Sequence, residues 1–309
     1  MNIVLLDGHT INPGDLSWRP LEDLCGRLTV YERTAPEEIA GRIADCEILM
    51  TSKCHITREL MAGAPKLKYI GSTATGYNNI DVEAARDLGI AVTNIPAYST
   101  ESVAQHAIAL MLELTTHVGL HSDSVHSGDW TNCEYFCYWK QPVTLLAGRS
   151  LGIIGYGAIG RKVGEIASAL GMEINIYSRD RQAAMASDFV TLHCPLTADN
   201  AGMINKEFIS AMKPGAYLIN TARGGLVNEK DLAQALNEGI LAGAAVDVLS
   251  TEPPAADNPL LRAKNCIITP HIAWVPQEMR QRVIDVLAEN LRDWQAGGTQ
   301  NRVESKPAR

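Results

Sequence analysis

The stretch from Leu151 to Gly160 (Leu-Gly-Ile-Ile-Gly-Tyr-Gly-Ala-Ile-Gly) constrains the fold more than any other part of this 309-residue chain. Its apolar first half, Leu151 to Ile154, predicts a buried strand. Gly155, Gly157 and Gly160 follow at the spacing G-x-G-x-x-G, and a helical pattern begins directly after them. Strand, glycine turn and helix therefore occur in the order that a dinucleotide-binding motif requires.

Each glycine of this motif has its own task. Gly155 permits a tight turn, Gly157 lets the backbone approach a pyrophosphate, and Gly160 allows close packing of helix on strand. The start of the helix, with Ala158 and Ile159 in its first turn, adds N–H groups and the positive end of a dipole. A glycine-rich turn without a ligand is the alternative, but the correct flanks favour dinucleotide binding.

Composition and charge exclude several other classes of protein. The length is sufficient for two domains, and a net charge of -8 argues against nucleic acid as a partner. The sequence contains no run of eighteen apolar residues, so it predicts no membrane span. The seven cysteines show no spacing typical of a metal site, so we expect no metal. Their odd number, with a start that reads as a strand and not as a signal peptide, predicts reduced thiols in the cytoplasm.

Residues 1–97 read as a small α/β domain. Lys53 follows one of its strands, where a lysine is usually solvated but can also face an anionic substrate. A polar loop holding Thr75 and Gly76 follows the next strand and offers backbone N–H groups to an anion. The predicted strands are Ile3–Asp7, Leu28–Tyr31, Ile48–Thr51, Leu67–Gly71 and Ile90–Thr93, and the predicted helices are Pro36–Ala44 and Asp81–Leu88.

The middle of the chain predicts a long helix and then an aromatic loop. Apolar residues at helical spacing run from Ser99 to Leu120, a length typical of an element that connects domains. Residues 121–147 carry five aromatic side chains without clear periodicity. This segment is either a loop packed on its own domain or an arm that buries aromatics against a second subunit.

Strands and helices alternate in the second half, which indicates a parallel, doubly wound sheet. In such sheets the ligand lies beyond the carboxyl ends of the strands. The chain then closes with a helix, Gln277–Trp294, that we expect to return to the first domain, and a polar tail from Gly297 that we expect to fray. The residues at the predicted strand ends are Ser178, Arg179, His193, Cys194, Pro195, Thr221, Ala222, Arg223, Asp247 and His271.

Three residues of this half suit a hydride-transfer site. Arg223 offers a bidentate fork for the carboxylate of a 2-oxo acid. His271 titrates in the range needed to protonate the carbonyl oxygen as hydride arrives at carbon. Glu252 beside it favours the imidazolium and fixes the orientation of the ring. Each residue alone has an ordinary structural explanation, so the prediction of a hydride-transfer site depends on all three occurring together.

Several long motifs resemble the D-isomer-specific 2-hydroxyacid dehydrogenases. They cover nearly the whole chain in the order of that family, and residues 136–140 and 51–53 look most like bacterial glycerate dehydrogenases, also called hydroxypyruvate reductases. The motifs are Thr-Gly-Tyr-Asn-Asn-Ile-Asp at 75–81, the glycine motif, His-Cys-Pro-Leu-Thr at 193–197, Met-Lys-Pro-Gly-Ala at 212–216 and the segments holding Arg223, Glu252 and His271.

The resemblance implies two Rossmann-like α/β domains. A discontinuous substrate domain, 1–97 and 277–309, would hold an inserted NAD(P)-binding domain, 98–276, with a cleft between them and with 121–147 as the dimerisation arm of a homodimer. It implies substrate binding by Arg223, acid–base catalysis by His271 and tuning of that histidine by Glu252. It further implies that the backbone near Thr75 and Gly76 holds the substrate carboxylate, and that Asp247 contacts the nicotinamide amide.

Two departures from the family pattern concern the cofactor. An acidic residue is expected to end the strand after the glycine helix and to bind the ribose hydroxyls of NAD. Ser178 and Arg179 stand there, and Asp180 comes two residues late. Because no carboxylate repels a 2′-phosphate and Arg179 can pair with one, we expect tolerance of NADP(H), or a preference for it over NAD(H).

The second departure is the short connection between two predicted strands. Only residues 178–188 separate them, whereas a parallel crossover needs about 10–12 residues at minimum. Either residues have been lost here or the sequence is joined across missing ones. A true loss would remove one wall of the adenine pocket and predicts weak cofactor binding.

We therefore expect an enzyme that reduces hydroxypyruvate or glyoxylate to D-glycerate or glycolate with NAD(P)H. One alternative is a dinucleotide-sensing binding protein on the same fold, although binding alone requires no acid–base pair. The other is a D-2-hydroxyacid dehydrogenase for lactate-like or bulkier substrates.

Overall fold

The computed structural model describes residues 1–304. The chain divides into two compact units, one formed by Met1–Ser99 with the segment from Val275, the other by Thr100–Trp274. The sequence placed these divisions after residues 97 and 276. Both units contain a parallel sheet with helices, so the predicted α/β class is confirmed.

Unit 1 contains a five-stranded sheet in the order β2-β1-β3-β4-β5, the flavodoxin-like order, in which the direction of winding reverses between β1 and β3. Four of its strands are almost fully buried, as expected for a parallel sheet that is covered on both faces, and the edge strand β2 is only partly buried. The strands are β1 (Asn2–Leu5), β2 (Arg27–Val30), β3 (Ile48–Thr51), β4 (Tyr69–Ser72) and β5 (Ala91–Thr93).

Unit 2 contains six parallel strands in the order β7-β6-β8-β9-β10-β11, and the winding reverses between β6 and β8. In the dinucleotide-binding order 3-2-1-4-5-6, a third strand lies outside the second one. Strand β7 corresponds to that second strand, and here it is itself the edge of the sheet. The strands are β6 (Ser150–Ile154), β7 (Glu173–Ile176), β8 (Phe189–Leu192), β9 (Tyr217–Asn220), β10 (Gly243–Val246) and β11 (Cys266–Ile268).

Eleven α-helices and three short 3-10 helices accompany the strands in residues 1–304. The α-helices are α1 (Arg19–Glu22), α2 (Ile39–Ile43), α3 (Arg58–Ala62), α4 (Val82–Asp87), α5 (Thr100–Thr116), α6 (Val118–His126), α7 (Ala158–Ala169), α8 (Arg181–Met185), α9 (Lys206–Ala211), α10 (Glu229–Asn237) and α11 (Gln277–Gln295). The 3-10 helices are Pro36–Glu38, Gly224–Leu226 and Pro259–Arg262.

The single long helix predicted from Ser99 to Leu120 is wrong in one respect, because α5 ends at Thr116 and α6 begins at Val118. Between them His117 is left-handed, with φ 51°. The hydroxyl of Thr116 donates to the Leu112 carbonyl at 2.6 Å. Such a bond from a side chain to the backbone competes with the regular hydrogen bonds of a helix. As a result the first six residues of the predicted loop 121–147 are helical.

The tail is also more ordered than predicted. Val303 donates its N–H to the Val92 carbonyl at 2.9 Å, and the Glu304 carboxylate accepts from the Val92 N–H at 2.9 Å. Both tail residues are buried beside β5. The frayed tail predicted from Gly297 is therefore wrong for residues up to 304, and the rest of it lies outside the described residues.

Candidate active site

The glycine motif forms a tight backbone cradle after β6. Gly155 has φ 96°, and a Cβ there would lie 2.5 Å from backbone atoms of His193 and Cys194. A Cβ on Gly160 would lie 2.1 Å from the Gly155 carbonyl oxygen. Neither position accepts a side chain, and glycine is required at both.

The start of α7 is open toward solvent. Gly157 is its N-cap, provides no side chain to cap the helix, and has no atom within 4 Å of the place that a Cβ would occupy. Ala158 lies exposed and Ile159 half-buried in the first turn, where backbone N–H groups lack intrahelical acceptors. A twelve-residue helix with an uncapped N-terminus above a glycine cradle fits the pyrophosphate of a dinucleotide.

Other residues stand after β7 at the position where an acidic residue is expected. Ser178 and Arg179 are exposed, and the Arg179 guanidinium lies 5.8 Å from the centre of the Tyr156 ring. The carboxylate of Asp180 accepts from the Ala183 N–H at 2.9 Å and so caps α8. Asp180 is therefore committed to the helix, and the charged group that follows β7 at the sheet edge is a cation.

The short connection 178–188 is occupied by α8 alone. Ala184, on α8, packs directly on β6, since a Cβ on Gly152 would lie 2.0 Å from the Ala184 carbonyl oxygen. The amide of Asn175 donates to the Ser187 hydroxyl at 3.1 Å and closes the end of the connection. Gly152 is a requirement that the sequence did not reveal, because its role depends on α8, a helix that begins 29 residues later in the chain and lies on the sheet.

The end of β8 carries a partly buried histidine whose ring Nδ1 is fully buried. His193 donates its backbone N–H to the Ile154 carbonyl at 2.7 Å, and its Nε2 lies 3.0 Å from the Thr191 hydroxyl. Burial lowers the pKa of His193 to about 3, so the ring is neutral at physiological pH. Cys194 next to it is half-buried, which raises the pKa of its thiol, and Pro195 is exposed.

Two buried polar atoms at this edge have no hydrogen-bond partner within residues 1–304. They are Nδ1 of His193 and the hydroxyl oxygen of Thr221, which follow the paired strands β8 and β9. Ala222 lies next to Thr221 and donates its N–H to Asn220. Buried polar groups in native proteins are normally paired. The unpaired atoms beside an open cradle therefore fit a polar ligand such as a dinucleotide.

Arg223 stands at the turn after β9. The Asn220 side chain bonds both sides of this turn: it accepts from the Ala222 N–H at 3.0 Å and donates to the Arg223 carbonyl at 2.9 Å. A Cβ on Gly224 would lie 1.9 Å from the Leu249 backbone, so the chain passes closely there. Arg223 is exposed, and its Nη1 donates to the Ala222 carbonyl at 2.7 Å.

Glu252 and His271 form a close pair. Nδ1 of His271 lies 2.6 Å from Oε2 of Glu252, and the other carboxylate oxygen accepts from the Leu249 N–H at 3.0 Å. The ring nitrogen that Glu252 does not engage is Nε2. A carboxylate that orients one ring nitrogen leaves the other to give or take a proton, which is the arrangement of an acid–base catalyst.

Asp247 lies beneath the loop that carries His271. Only 1% of its surface is exposed, and its carboxylate accepts from the Thr269 hydroxyl and from the N–H groups of Ile272 and Ala273 at 2.6, 2.8 and 2.9 Å. Burial alone would raise the pKa of Asp247, but hydrogen bonds from His106, Thr269 and this backbone outweigh burial and lower it. The carboxylate is engaged within the protein.

The predicted substrate loops of unit 1 follow β3 and β4. Asp7 organises the first: its Oδ2 accepts from the Thr51 hydroxyl at 2.7 Å and from the N–H groups of Ser52 and Lys53 at 3.0 and 2.6 Å. The Lys53 residue is exposed. The sequence predicts Asp7 only as the end of a strand, and the role of its carboxylate in the neighbouring loop is a finding of the structure.

The second loop is anchored through its carbonyl groups. Asn94 donates to the Thr75 carbonyl at 2.8 Å, and the Ser72 hydroxyl donates to the Gly76 carbonyl at 3.1 Å. The Thr75 hydroxyl donates to the Ile95 carbonyl at 2.7 Å. Because the carbonyls are held in this way, the orientation of the loop is fixed by its own unit.

Comparison with known proteins identifies the family. Residues 108–273 match the model of the D-isomer specific 2-hydroxyacid dehydrogenase NAD binding domain, which is more than half of the chain. A hydroxypyruvate reductase of Blautia hydrogenotrophica is 46% identical, with 97% of this chain and 99% of the relative covered. The chain belongs to the D-isomer specific 2-hydroxyacid dehydrogenase family.

Other known proteins are also similar over most of their length. A glycerate dehydrogenase of Methylorubrum extorquens is 41% identical, with 89% of this chain and 91% of the relative covered. An acyclic imino acid reductase, solved with NADPH and D-Arg, superposes with a TM-score of 0.85 at 29% identity, with 98% of this chain and 100% of that chain covered. The predicted family is thus confirmed.

The alignment with the Blautia hydroxypyruvate reductase spans 319 positions, more than the 309 residues of this chain. The relative therefore has residues that this chain lacks. Within residues 1–304, no helix is long and apolar enough to cross a membrane, and no three His, Cys, Asp or Glu side chains are grouped so that they could hold a metal ion.

Proposed function

We propose that this dehydrogenase reduces hydroxypyruvate and glyoxylate with NAD(P)H, giving D-glycerate and glycolate. The observation that carries the proposal is the 2.6 Å pair of Glu252 and His271 in the same unit as the glycine cradle. A protein that only senses a dinucleotide has no need of an oriented acid–base pair. The names of the Blautia and Methylorubrum relatives support this choice of substrates.

The cofactor fits the glycine cradle, the start of α7 and the unpaired atoms of His193 and Thr221. We assign its pyrophosphate to Gly155, Gly157, Ala158, Ile159 and Gly160. The remaining cofactor contacts are assigned to Ser178, Arg179, His193, Cys194, Pro195, Thr221 and Ala222. Bound NAD(P)H would supply the hydride.

The residues of the chain supply the other half of the chemistry. His271 gives the proton that the carbonyl oxygen needs when its carbon receives hydride, and it takes that proton back in the reverse direction. Glu252 holds the ring through Nδ1, so that Nε2 transfers the proton. Arg223 binds and orients the substrate through its guanidinium fork. In unit 1, the N–H groups of Thr75 and Gly76 hold the substrate carboxylate, and Lys53 adds a positive charge.

The direct test is the absorbance at 340 nm when hydroxypyruvate is added to the protein with NADPH, and separately with NADH. His271→Asn is the informative variant, because asparagine tolerates the left-handed backbone that His271 adopts at φ 56°. His117→Asn is the matched control, since His117 is also left-handed, at φ 51°. We expect loss of about 100-fold or more in kcat for His271→Asn alone.

Three results would overturn the proposal. Equal activity of His271→Asn and the wild type would remove His271 from the chemistry. Absence of turnover with hydroxypyruvate and glyoxylate, while lactate-like or bulkier 2-oxo acids are reduced, would assign the other substrate class. If no acid is reduced and a dinucleotide still binds, the protein is a sensor.

We further propose a homodimer formed through residues 121–147. Phe136, Tyr135 and Trp139 are 88%, 74% and 68% exposed, so these aromatics do not pack on their own unit. Trp130 donates its Nε1–H to the Phe136 carbonyl at 3.1 Å, which gives the exposed segment a defined shape. Sedimentation at micromolar concentration is expected to give twice the chain mass of 33.5 kDa, and less for Phe136→Ser with Trp139→Ser. A wild-type mass of one chain would contradict the proposal.

We place the protein in the cytoplasm, because all seven cysteines are free thiols. Cell fractionation tests this location. Recovery of the protein outside the cytoplasm would contradict it.

A further inference from the structure

The backbone of His271 is in an unusual conformation. Its φ of 56° lies in the left-handed region, which residues other than glycine seldom adopt. Such a conformation persists only where the surrounding contacts impose it. The contacts around residues 269–273 therefore decide where the imidazole of His271 is held.

A single residue accepts the N–H groups of three successive positions in this loop. His271 donates to the main-chain oxygen of Asp247 at 2.8 Å, Ile272 donates to its Oδ1 at 2.8 Å, and Ala273 donates to its Oδ2 at 2.9 Å. The N–H groups of Ile272 and Ala273 are successive and converge on the carboxylate, as in a backbone nest that binds an anion. The loop is thus wrapped around Asp247.

Asp247 is in turn fixed by two side chains outside this nest. The Thr269 hydroxyl donates to Oδ1 of Asp247 at 2.6 Å. A hydroxyl has one hydrogen, so the 3.1 Å contact between Nε2 of His106 and the Thr269 oxygen requires the hydrogen to be on His106. The same Nε2 lies 3.4 Å from Oδ1 of Asp247. His106 on α5 is therefore the outer donor of a chain that ends in the His271 loop.

We propose that His106 and Thr269 are positioning residues that act through Asp247 to hold His271 in its left-handed, catalytically competent conformation. The effect reaches His271 through the loop backbone, and neither residue transfers a proton to substrate. The proposal depends on the role assigned to His271 above. It gives Asp247, His106 and Thr269 one common task.

Chain connectivity adds a reason for this task. Unit 2 begins at Thr100, six residues before His106, and ends at Trp274, three residues after His271. The loop that carries His271 thus lies next to the end of its unit. Bonds from α5 restrain that loop from within the unit.

The test compares Thr269→Val, which removes the hydroxyl at nearly constant size, with Thr269→Ser, which keeps it. For Thr269→Val we expect kcat for hydroxypyruvate to fall about tenfold or more, with KM and the Kd of the cofactor changed less than threefold. The solvent isotope effect on kcat should rise, because proton transfer becomes slower. Thr269→Ser should restore both values to within about twofold of wild type.

Amide hydrogen exchange gives a readout that is independent of activity. In the protein without cofactor, a peptide covering 269–275 should exchange faster in Thr269→Val than in Thr269→Ser, whereas a peptide from α10 should not differ. His106→Leu and His106→Gln form a second pair, which decides the matter if Thr269→Val does not fold. His106 is partly exposed, so its replacement is tolerated more readily.

Each outcome bears on the proposal. Equal kcat and equal exchange within both pairs of variants would overturn it. So would a loss of cofactor binding and melting temperature that accounts for the whole loss of activity, since that pattern shows a structural role only. If the wild type reduces no 2-oxo acid, the proposed function fails, and the exchange comparison still decides whether these residues hold the loop.

Discussion

Nδ1 of His271 lies 2.6 Å from Oε2 of Glu252, and Oε1 of the same carboxylate is held by the Leu249 N–H. The carboxylate is therefore fixed at both oxygens, and it fixes the ring in turn. In this geometry the Nδ1 hydrogen points at Glu252, and proton transfer is left to Nε2. The pair thus defines which ring nitrogen serves the substrate.

Replacement of the carboxylate is the first prediction. Glu252→Gln keeps the size of the side chain but removes its charge, so the imidazolium loses its partner. We expect kcat to fall about 10- to 100-fold, measured by initial rates at 340 nm. Glu238→Gln is the control, because Glu238 is exposed at the end of α10. A change in kcat below twofold for Glu252→Gln would show that His271 acts without it.

Cofactor selection is the second prediction. With Ser178 and Arg179 after β7 and the Asp180 carboxylate bound to α8, we expect a higher kcat/KM for NADPH than for NADH. Ser178→Asp should lower the NADPH/NADH ratio of kcat/KM about tenfold or more, or about 1.4 kcal/mol, since a carboxylate repels the 2′-phosphate.

Arg179→Gln should reduce kcat/KM for NADPH and leave that for NADH unchanged. Arg262→Gln, another exposed arginine of unit 2, serves as the control. A strong preference of the wild type for NADH would contradict this account of the site.

The strength of cofactor binding is the third prediction. Strand β7 is the edge of the sheet, and only α8 follows it before β8. The adenosine half of the cofactor, which binds beside this edge, then has fewer protein atoms around it. We expect isothermal titration calorimetry to give a Kd above the low-micromolar range for both cofactors. A low-micromolar Kd for either one would show that the remaining residues suffice.

Stability against pH is the fourth prediction. An unfolded histidine binds a proton near pH 6.5, whereas burial lowers the pKa of folded His193 to about 3. Between these values the unfolded state binds more protons, so stability falls as the pH falls. From pH 7 to 5 the contribution of His193 is about 2 kcal/mol at most. Urea unfolding should therefore depend less on pH in His193→Gln than in the wild type. Equal dependence in both proteins would show that His193 is protonated in the folded state.

The sequence predicted what depends on local pattern. Apolar runs located the five strands of unit 1 and strand β6 to within a few residues, and the spacing of Gly155, Gly157 and Gly160 located the cradle. It could not predict the break at His117, because histidine adopts left-handed backbone only occasionally and its presence in a helical pattern does not indicate a break. The position of Asp247 beneath the loop was also missed, since it depends on donors from α5 and from residues 269–273.

Gly152 shows the same limit and provides the fifth prediction. In sequence it is one residue of an apolar strand, but its missing side chain is what allows Ala184 to lie on β6. A Cβ at this position would be 2.0 Å from the Ala184 carbonyl oxygen. Because Gly152 and Ala184 would clash through backbone atoms, the clash cannot be relieved by the rotation of a side chain. We expect Gly152→Ala to lower the free energy of unfolding of unit 2 by about 1–3 kcal/mol.

Gly41→Ala is the matched control for this substitution. Gly41 lies in α2, and no atom is within 4 Å of the place that its Cβ would occupy. Because alanine is favoured over glycine inside a helix, Gly41→Ala should leave stability unchanged or raise it by up to about 1 kcal/mol. Urea unfolding followed by circular dichroism measures both variants. If Gly152→Ala is as stable as the wild type, α8 does not lie on β6, and the short connection must take another path to β8.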